Sequence, residues 1–383
     1  MSDLTMLRES VRSALAALSP MNEVRRLMAT GDGWERPTWH RLCRELDLVG
    51  LAVPEAYGGA GFSTVELGVA FEEAGRSLLC APLFSTAGLA VPLLLALGDD
   101  EANGKYLPGL CDGSTTATVA VVDADGRSLV DGADYGKPVT ALGTSDIVLS
   151  GTAGFVVDGA TADLVLVPAQ TPDGMGVFAV PGDAPGLTRT ALVTLDQTRK
   201  QARLVFDRVP ATRVGHGDAA EAVRTALDVA RALLAAEQAG GAARCLEETV
   251  EYVKTRVQFG RPIGSFQAIK QRAADLLIKV ESCRSAALAA TQAAAEALRQ
   301  PVPEEARIPD LPELAVAASV SRVYGADACV TVAAEAIQLH GGIGFTWEHD
   351  AHLYFKRAWS SREMLGRPEE HTERLAALLG DMV

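Results

Sequence analysis

The chain lacks any pair of cysteines spaced CxxC. Its six, Cys43, Cys80, Cys111, Cys245, Cys283 and Cys329, lie far apart in 383 residues. That scatter excludes a disulfide frame or zinc ribbon legible in sequence and reads as reduced, mostly buried thiols. Basic charge is also scarce: 35 Lys and Arg face 49 Asp and Glu, for a formal net charge of -14. Sequence-independent nucleic-acid binding needs clustered cations to neutralise phosphates, so that function class is set aside. An anionic small ligand needs only a few local cations and stays open. The most apolar run, AGLAVPLLLAL at 87–97, is too short to span a bilayer and contains a proline. The N-terminus, MSDLTMLRESVRSALAAL, carries acids early, unlike a signal peptide. A soluble, cytoplasmic protein without membrane or nucleic-acid partners is the expectation. Aromatics are sparse at 5%, while hydrophobic residues reach 48%, with much Ala and Leu, which favours helices.

Periodicity divides the chain into three. Residues 1–113 place apolar residues three and four apart, as in LRESVRSALAAL and STVELGVAFEEAGRSLL, and predict helices. Between these helices, VPEAYGGAGFS at 53–63 is a loop ending in a candidate N-cap, Ser63. From 114 to 215 short β-branched runs alternate with Gly, Asp and Pro, predicting an antiparallel sheet or small barrel. From 216 to 383 the helical period returns. One helix is predicted from about Ala219 to Gln258, a second from Ser265 to about Gln300, and a third after the proline-rich 301–313 to His340. Long helices with short connections predict a bundle.

Two stretches carry candidate chemistry. In YVKTRVQFGRPIGSFQAIKQ, residues 252–271, Arg256, Phe259 and Gln267 surround a Gly260–Pro262 turn that opens a helix. Positive charge beside a helix N-terminus suits a diphosphate. The same residues also fit a helix C-terminal arginine, a turn glycine and an N-cap serine. In QLHGGIGF, Gln338 can read an amide or ring edge, and Gly341, Gly342 and Gly344 permit close backbone approach; a helix C-cap followed by a turn is the plainer reading.

Taken together, these stretches resemble the acyl-CoA dehydrogenase family, and the resemblance covers essentially the whole chain. LVGLAVPEAYGGAG with FEEAGR resembles the family's N-terminal helical domain, ARLVFDRVPATRVG the exit from its β barrel, and RVQFGRPIGSFQ with QLHGGIGF its two C-terminal signatures. The resemblance implies a helical domain, a β barrel and a four-helix bundle. It also implies an oligomer, because the family's two signatures hold the diphosphate and adenine of a neighbouring subunit's FAD. Carried over, Arg256, Gln258, Phe259, Gln267, Gln338, Gly341 and Gly342 take those parts.

The catalytic carboxylate that the resemblance calls for is missing. The family removes an α-proton from an acyl-CoA thioester with a carboxylate while a hydride leaves for the flavin. Counting without gaps from Gly341, the family's Glu-Gly step becomes Leu365–Gly366. Some members carry the base immediately before an arginine on the first bundle helix; that position is Ala230, before Arg231. Glu237, two turns further on the same side, is one relocated candidate, with a polar helix residue or bundle partner as the plainer reading; Glu363, two positions before Leu365, is the other, reached by a shifted alignment. The β region departs too. Where members carry a TEPxxGSD-like loop this chain has VAVVDADGRS, with Asp123 and Asp125 as poor substitutes. Where they carry Trp-x-Thr it has Phe155 and Val157.

Features that serve a neighbour's FAD persist, while those for its own flavin ring and proton transfer are absent. The leading expectation is therefore a partner subunit of a heteromeric FAD-dependent acyl-CoA dehydrogenase. It would assemble as a heterotetramer with a homologous chain, share its FAD, act on a bulky, steroid-derived acyl-CoA and pass electrons to an electron-transfer flavoprotein. The alternatives are a self-sufficient dehydrogenase using Glu237 or Glu363, and a flavin-free CoA-thioester scaffold. His349, His352, Lys356 and Arg357 are candidates to touch a CoA phosphate or the partner chain, or else to form a solvated helix face.

Overall fold

The computed structural model describes residues 3–130, 136–143, 146–308 and 312–380. Helices come first: α1 (Asp3–Leu18), α2 (Met21–Met28), α3 (Arg36–Leu46), α4 (Thr64–Arg76), α5 (Val91–Leu97), entered through a π-helical stretch at Phe84–Ala90, and α6 (Asp100–Cys111). Ser63 caps α4 as its sequence suggests. The Ser63 side chain accepts from the Val65 N–H, and the Glu66 carboxylate returns to the Ser63 N–H at 3.0 Å, completing a capping box.

Eight strands follow among the described residues: β1 (Ala117–Val119), β2 (Val139–Leu142), β3 (Val148–Val157), β4 (Leu164–Thr171), β5 (Gly174–Pro181), β6 (Leu187–Ala191), β7 (Gln201–Pro210) and β8 (Thr212–Val214). They form one sheet in the order β6-β7-β3-β2-β4-β5-β8, with β1 added against β4. Pairing is antiparallel except at β1–β4 and β2–β4. The β-branched runs read from the sequence supply its buried face, with Val165, Val167, Phe178, Val180 and Leu204 in one cluster.

The bundle comprises α7 (Ala220–Thr255), α8 (Gln267–Ala297), α9 (Leu314–His340), α10 (Ala351–Glu363) and α11 (Pro368–Gly380). The first helix stops short of the expected Gln258. Arg256 is extended, and a hairpin of β9 (Val257–Gln258) and β10 (Arg261–Pro262) turns through Phe259 and Gly260, both at positive φ, 55° and 76°. Two successive left-handed residues make the tight turn that suits a two-residue hairpin. The start of α8 also differs: Ser265 lies in a 3-10 turn, and the extended Phe266 precedes the helix without a side-chain cap.

Backbones of α4 and α7 nearly touch. A Cβ on Gly240 would lie 1.8 Å from the Glu72 carbonyl oxygen, and one on Gly75 would lie 2.0 Å from that of Glu237. Only glycine permits such an approach, and it fixes Glu237 against α4. One apolar stretch outside 87–97, Leu314–Phe345, is long enough by length and composition to cross a membrane. It lies against α7, α8, α10 and α11 and carries the fully buried Arg322. All six cysteines are buried and unpaired.

Candidate active site and cofactor-facing surface

The two signatures meet at one end of the bundle. Tyr252, one turn before Arg256, places its ring centroid 4.5 Å from that of His340, which lies two residues after Gln338. Arg256, Gln258, Phe259, Gln267 and Gln338 are all exposed, Phe259 to 89%. Gln258 donates to the neighbouring Val257 carbonyl at 2.9 Å. Among the described residues no hydrogen bond or ion pair engages the side chains of Arg256, Gln267 or Gln338. A Cβ on Gly341 or Gly342 would meet nothing within 4 Å, and Gly341 has φ 61°, which glycine adopts without strain. The result is an outward-facing surface of uncommitted donors and open backbone, chemically suited to a diphosphate and a heterocycle.

The seam between the sheet and the bundle has the opposite character. Arg199, just before β7, sends Nη2 to both carboxylate oxygens of Glu237 on α7. Arg357 on α10 donates Nη1 to the same carboxylate at 2.8 Å and Nε to Asp196 at 2.8 Å. Thr198 Oγ1 accepts from Arg357 Nη2 at 2.6 Å. The Arg199 guanidinium also lies 4.8 Å from the Phe84 ring centroid and 3.3 Å from Met364 Sδ. Burial pushes the Glu237 carboxyl up, but the charges of Arg199 and Arg357 outweigh it and hold the group below its ordinary range. A carboxylate so held is a poor proton acceptor.

Nearby Asp158 behaves oppositely. Burial raises it to about 6, against a hydrogen bond from Ser85 and the charges of Arg199 and Arg357. The seam encloses only about 20 Å³, lined by Leu83, Phe84, Asp158, Arg199, Glu237 and Arg357 among others, which is room for little more than one water.

The loop that carries the expected Glu-Gly step is firmly held although its carboxylate is absent. The Leu365 carbonyl accepts from Arg231 Nε at 3.0 Å and lies 2.9 Å from His371 Nε2. Burial drives His371 down to about 3, so this nitrogen carries the proton of a neutral ring and donates. Arg322, fully buried, donates to the carbonyls of Ser361, Arg362, Met364 and Gly366. Leu365 has φ 57° and packs its side chain on the main core. Glu363, the other candidate base, is exposed and pairs with Arg362 at 3.2 Å. Ala230 is fully buried, while Arg231 beside it bonds Asp228 at 2.7 Å.

On the sheet, the positions matched to a flavin-ring contact do other work. The Val157 side chain is buried in the core and Phe155 is 51% exposed at φ 49°. The Asp123 carboxylate accepts the backbone N–H groups of Asp125, Arg127 and Lys137, organising its own turn. The four residues proposed for CoA or partner contact also separate. Arg357 is locked in the buried cluster, a correction to the expectation of an available cation. Lys356 lies over the Trp347 ring at 4.3 Å, and His349 Nδ1 accepts the Ala351 N–H at 3.1 Å. Both ring nitrogens of His352 are buried and lack a partner among the described residues.

Sequence reasoning missed Arg199, Asp196 and Asp158. No local motif marks them, because their partners lie on other elements.

Matches to known proteins agree with this architecture. The acyl-CoA dehydrogenase N-terminal domain matches residues 1–114 and the acyl-CoA dehydrogenase C-terminal domain matches 218–380. Acyl-CoA dehydrogenase IpdE2 of Mycobacterium tuberculosis is 36% identical over 373 residues, covering 97% of this chain and 95% of the relative. Among solved structures, a variant of the Tcur3481-Tcur3483 steroid ACAD superposes with TM-score 0.82 at 32% identity, over 99% of this chain and 98% of that one. The ChsE4-ChsE5 complex of Mycobacterium tuberculosis gives TM-score 0.83 at 29% identity, over 100% and 98%. The chain belongs to the acyl-CoA dehydrogenase family of FAD-dependent CH–CH oxidoreductases.

Proposed function

We propose that this chain is the flavin-completing partner subunit of a heteromeric acyl-CoA dehydrogenase and does not itself abstract the substrate proton. The observation that carries this reading is the Arg199–Glu237–Arg357 cluster. It fills the seam and neutralises the one buried carboxylate that sequence offered as a base, while Arg256, Gln267 and Gln338 stand exposed and uncommitted. Leu365 has no group to accept a proton, and Glu363 points to solvent with a paired arginine. The self-sufficient enzyme is therefore the less favoured reading. A flavin-free scaffold leaves the uncommitted cradle without a purpose.

The residues fit FAD on one side only. Arg256 would hold its diphosphate, Gln267 and Gln338 its polar edges, and Gly341 and Gly342 would let the backbone come close; the hydride acceptor is the chemistry FAD supplies when bound. The chain's own ring-side positions, Phe155 and Val157, do not fit that group. This one-sidedness supports sharing the cofactor with a homologous chain, and a heterotetramer is part of the same proposal. Relatives named as a steroid ACAD and as the two-chain ChsE4-ChsE5 complex support a bulky, steroid-derived acyl-CoA substrate and a two-chain assembly. An electron-transfer flavoprotein as acceptor and a cytoplasmic location belong to the same proposal. The test is to measure bound FAD per chain, for this chain alone and for its assembly with a homologous chain bearing the missing glutamate. No flavin alone and about one FAD per pair of chains together is the expected result; full loading and turnover alone would overturn the reading.

A further inference from the structure

One buried ring lies between the two halves of the cofactor-facing surface. His340 is 3% exposed, and its Nδ1 lies 2.7 Å from the Ala336 carbonyl. A carbonyl can only accept, so Nδ1 carries a proton, and burial, which disfavours the charged ring, leaves Nε2 with the lone pair. That ring touches two others, Tyr252 at 4.5 Å and His349 at 4.3 Å between centroids. The Tyr252 contact links the two signatures, and the His349 contact braces the ring from the turn before α10. The Tyr252 carbonyl accepts the Arg256 N–H at 2.8 Å, closing α7. The Gln338 carbonyl accepts the Gly341 N–H, closing α9. The turn after α9 folds back over the same residue: a Cβ on Gly344 would lie 3.0 Å from His340 Cβ and 2.5 Å from the Ile337 carbonyl oxygen.

We propose that His340 is the positioning residue of the flavin cradle: its ring holds the last turn of α7 against the last turn of α9 and so fixes Arg256 and Gln338 at one spacing. This rests on the reading that those two residues bind FAD. A two-point grip loses affinity when either point is free to move, because the ordering must then be supplied at binding. Burial keeps the ring below the ordinary imidazole range; the Ala336 hydrogen bond opposes that shift, His349 reinforces it and Glu248 opposes it. The ring therefore acts as a neutral aromatic plate. Its contact with Tyr252 is the one that sets the spacing, His349 backs the ring from the other side, and the Nδ1 donor serves to orient it.

The experiment compares two variants of the full chain in its FAD-loading assembly, whether that is with a homologous chain or with itself. His340→Phe keeps an aromatic ring and loses the donor; His340→Asn keeps a donor at the Nδ1 position and loses the ring. FAD affinity is read by flavin fluorescence, with assembly checked by size and chain stability by thermal unfolding. The expected result is near-native affinity for H340F and about tenfold weaker binding for H340N, the scale of one lost supporting contact. In a Gln338→Ala background H340N should add little further loss, since it acts through that residue. Native affinity in H340N, equal losses in both variants, or fully additive losses with Q338A would overturn the inference alone. An assembly that takes up no FAD with native His340 in place would overturn the proposed function and the inference with it.

Discussion

Arg199 and Glu237, 38 residues apart, join the sheet to the bundle through a guanidinium that contacts both carboxylate oxygens. Arg357 closes the group from α10. In this fold the seam between sheet and bundle is filled by charge that is internally satisfied.

Glu237→Gln should therefore be a stability mutation. Removing one member of a buried, hydrogen-bonded ion cluster leaves uncompensated charge, at a cost of about 3–5 kcal/mol. Denaturant unfolding is expected to show a loss of that order, while turnover of the assembled enzyme changes little once the variant is folded. Abolished turnover at native stability would instead make Glu237 a base.

Asp158→Asn should stabilise the protein at neutral pH. Burial raises the Asp158 carboxyl from 3.8 to about 6, so the folded state binds the extra proton between those values. Stability is then highest below the unfolded value and falls as pH rises through the folded one. Asparagine removes that penalty and tolerates the left-handed backbone, φ 52°, at this position. A gain of roughly 1–3 kcal/mol at pH 7, shrinking towards pH 4, is expected from unfolding curves at both pH values.

His371 works in the other direction. Its pKa falls from 6.5 to about 3, so the unfolded chain binds the proton first and stability declines as pH drops below the unfolded value. His371→Gln should flatten this acid limb. An unchanged slope between pH 4 and 6.5 would contradict the burial of a neutral ring beneath the Leu365 loop.

Leu365→Glu restores a carboxylate at the family's position without restoring catalysis. The side chain at 365 packs on the core, and the neighbouring seam is closed by Arg199, Phe84 and Glu237. Dehydrogenase assays on the variant alone are expected to show no turnover; measurable turnover would mean that the seam opens.

Much of the fold was legible from local pattern. The 3.6-residue period located α7, α8 and α9 to within three residues at each end that was placed, and Ser63 marked a cap that the structure contains. Helix ends were less legible, because Arg256 leaves the helix for a hairpin whose left-handed Phe259 follows no strong residue preference. The cofactor signatures could be read as a pair because they are contiguous words. The charge cluster could not: Glu237 meets Arg357 across 120 residues, and nothing near either residue announces the other. For the same reason Arg357 reads in sequence as a candidate for a CoA phosphate, the partner chain or a solvated helix face, whereas its guanidinium is buried among Asp196, Thr198 and Glu237.

The central claim, that this chain lends its cradle to another chain's flavin, is tested most directly by the FAD content of the purified protein, first alone and then assembled with a homologous chain carrying the catalytic glutamate. The account expects a colourless protein alone and about one FAD for each pair of chains in the complex, with Arg256→Ala on this chain lowering that content. One FAD per chain in the isolated protein, accompanied by turnover, would contradict it.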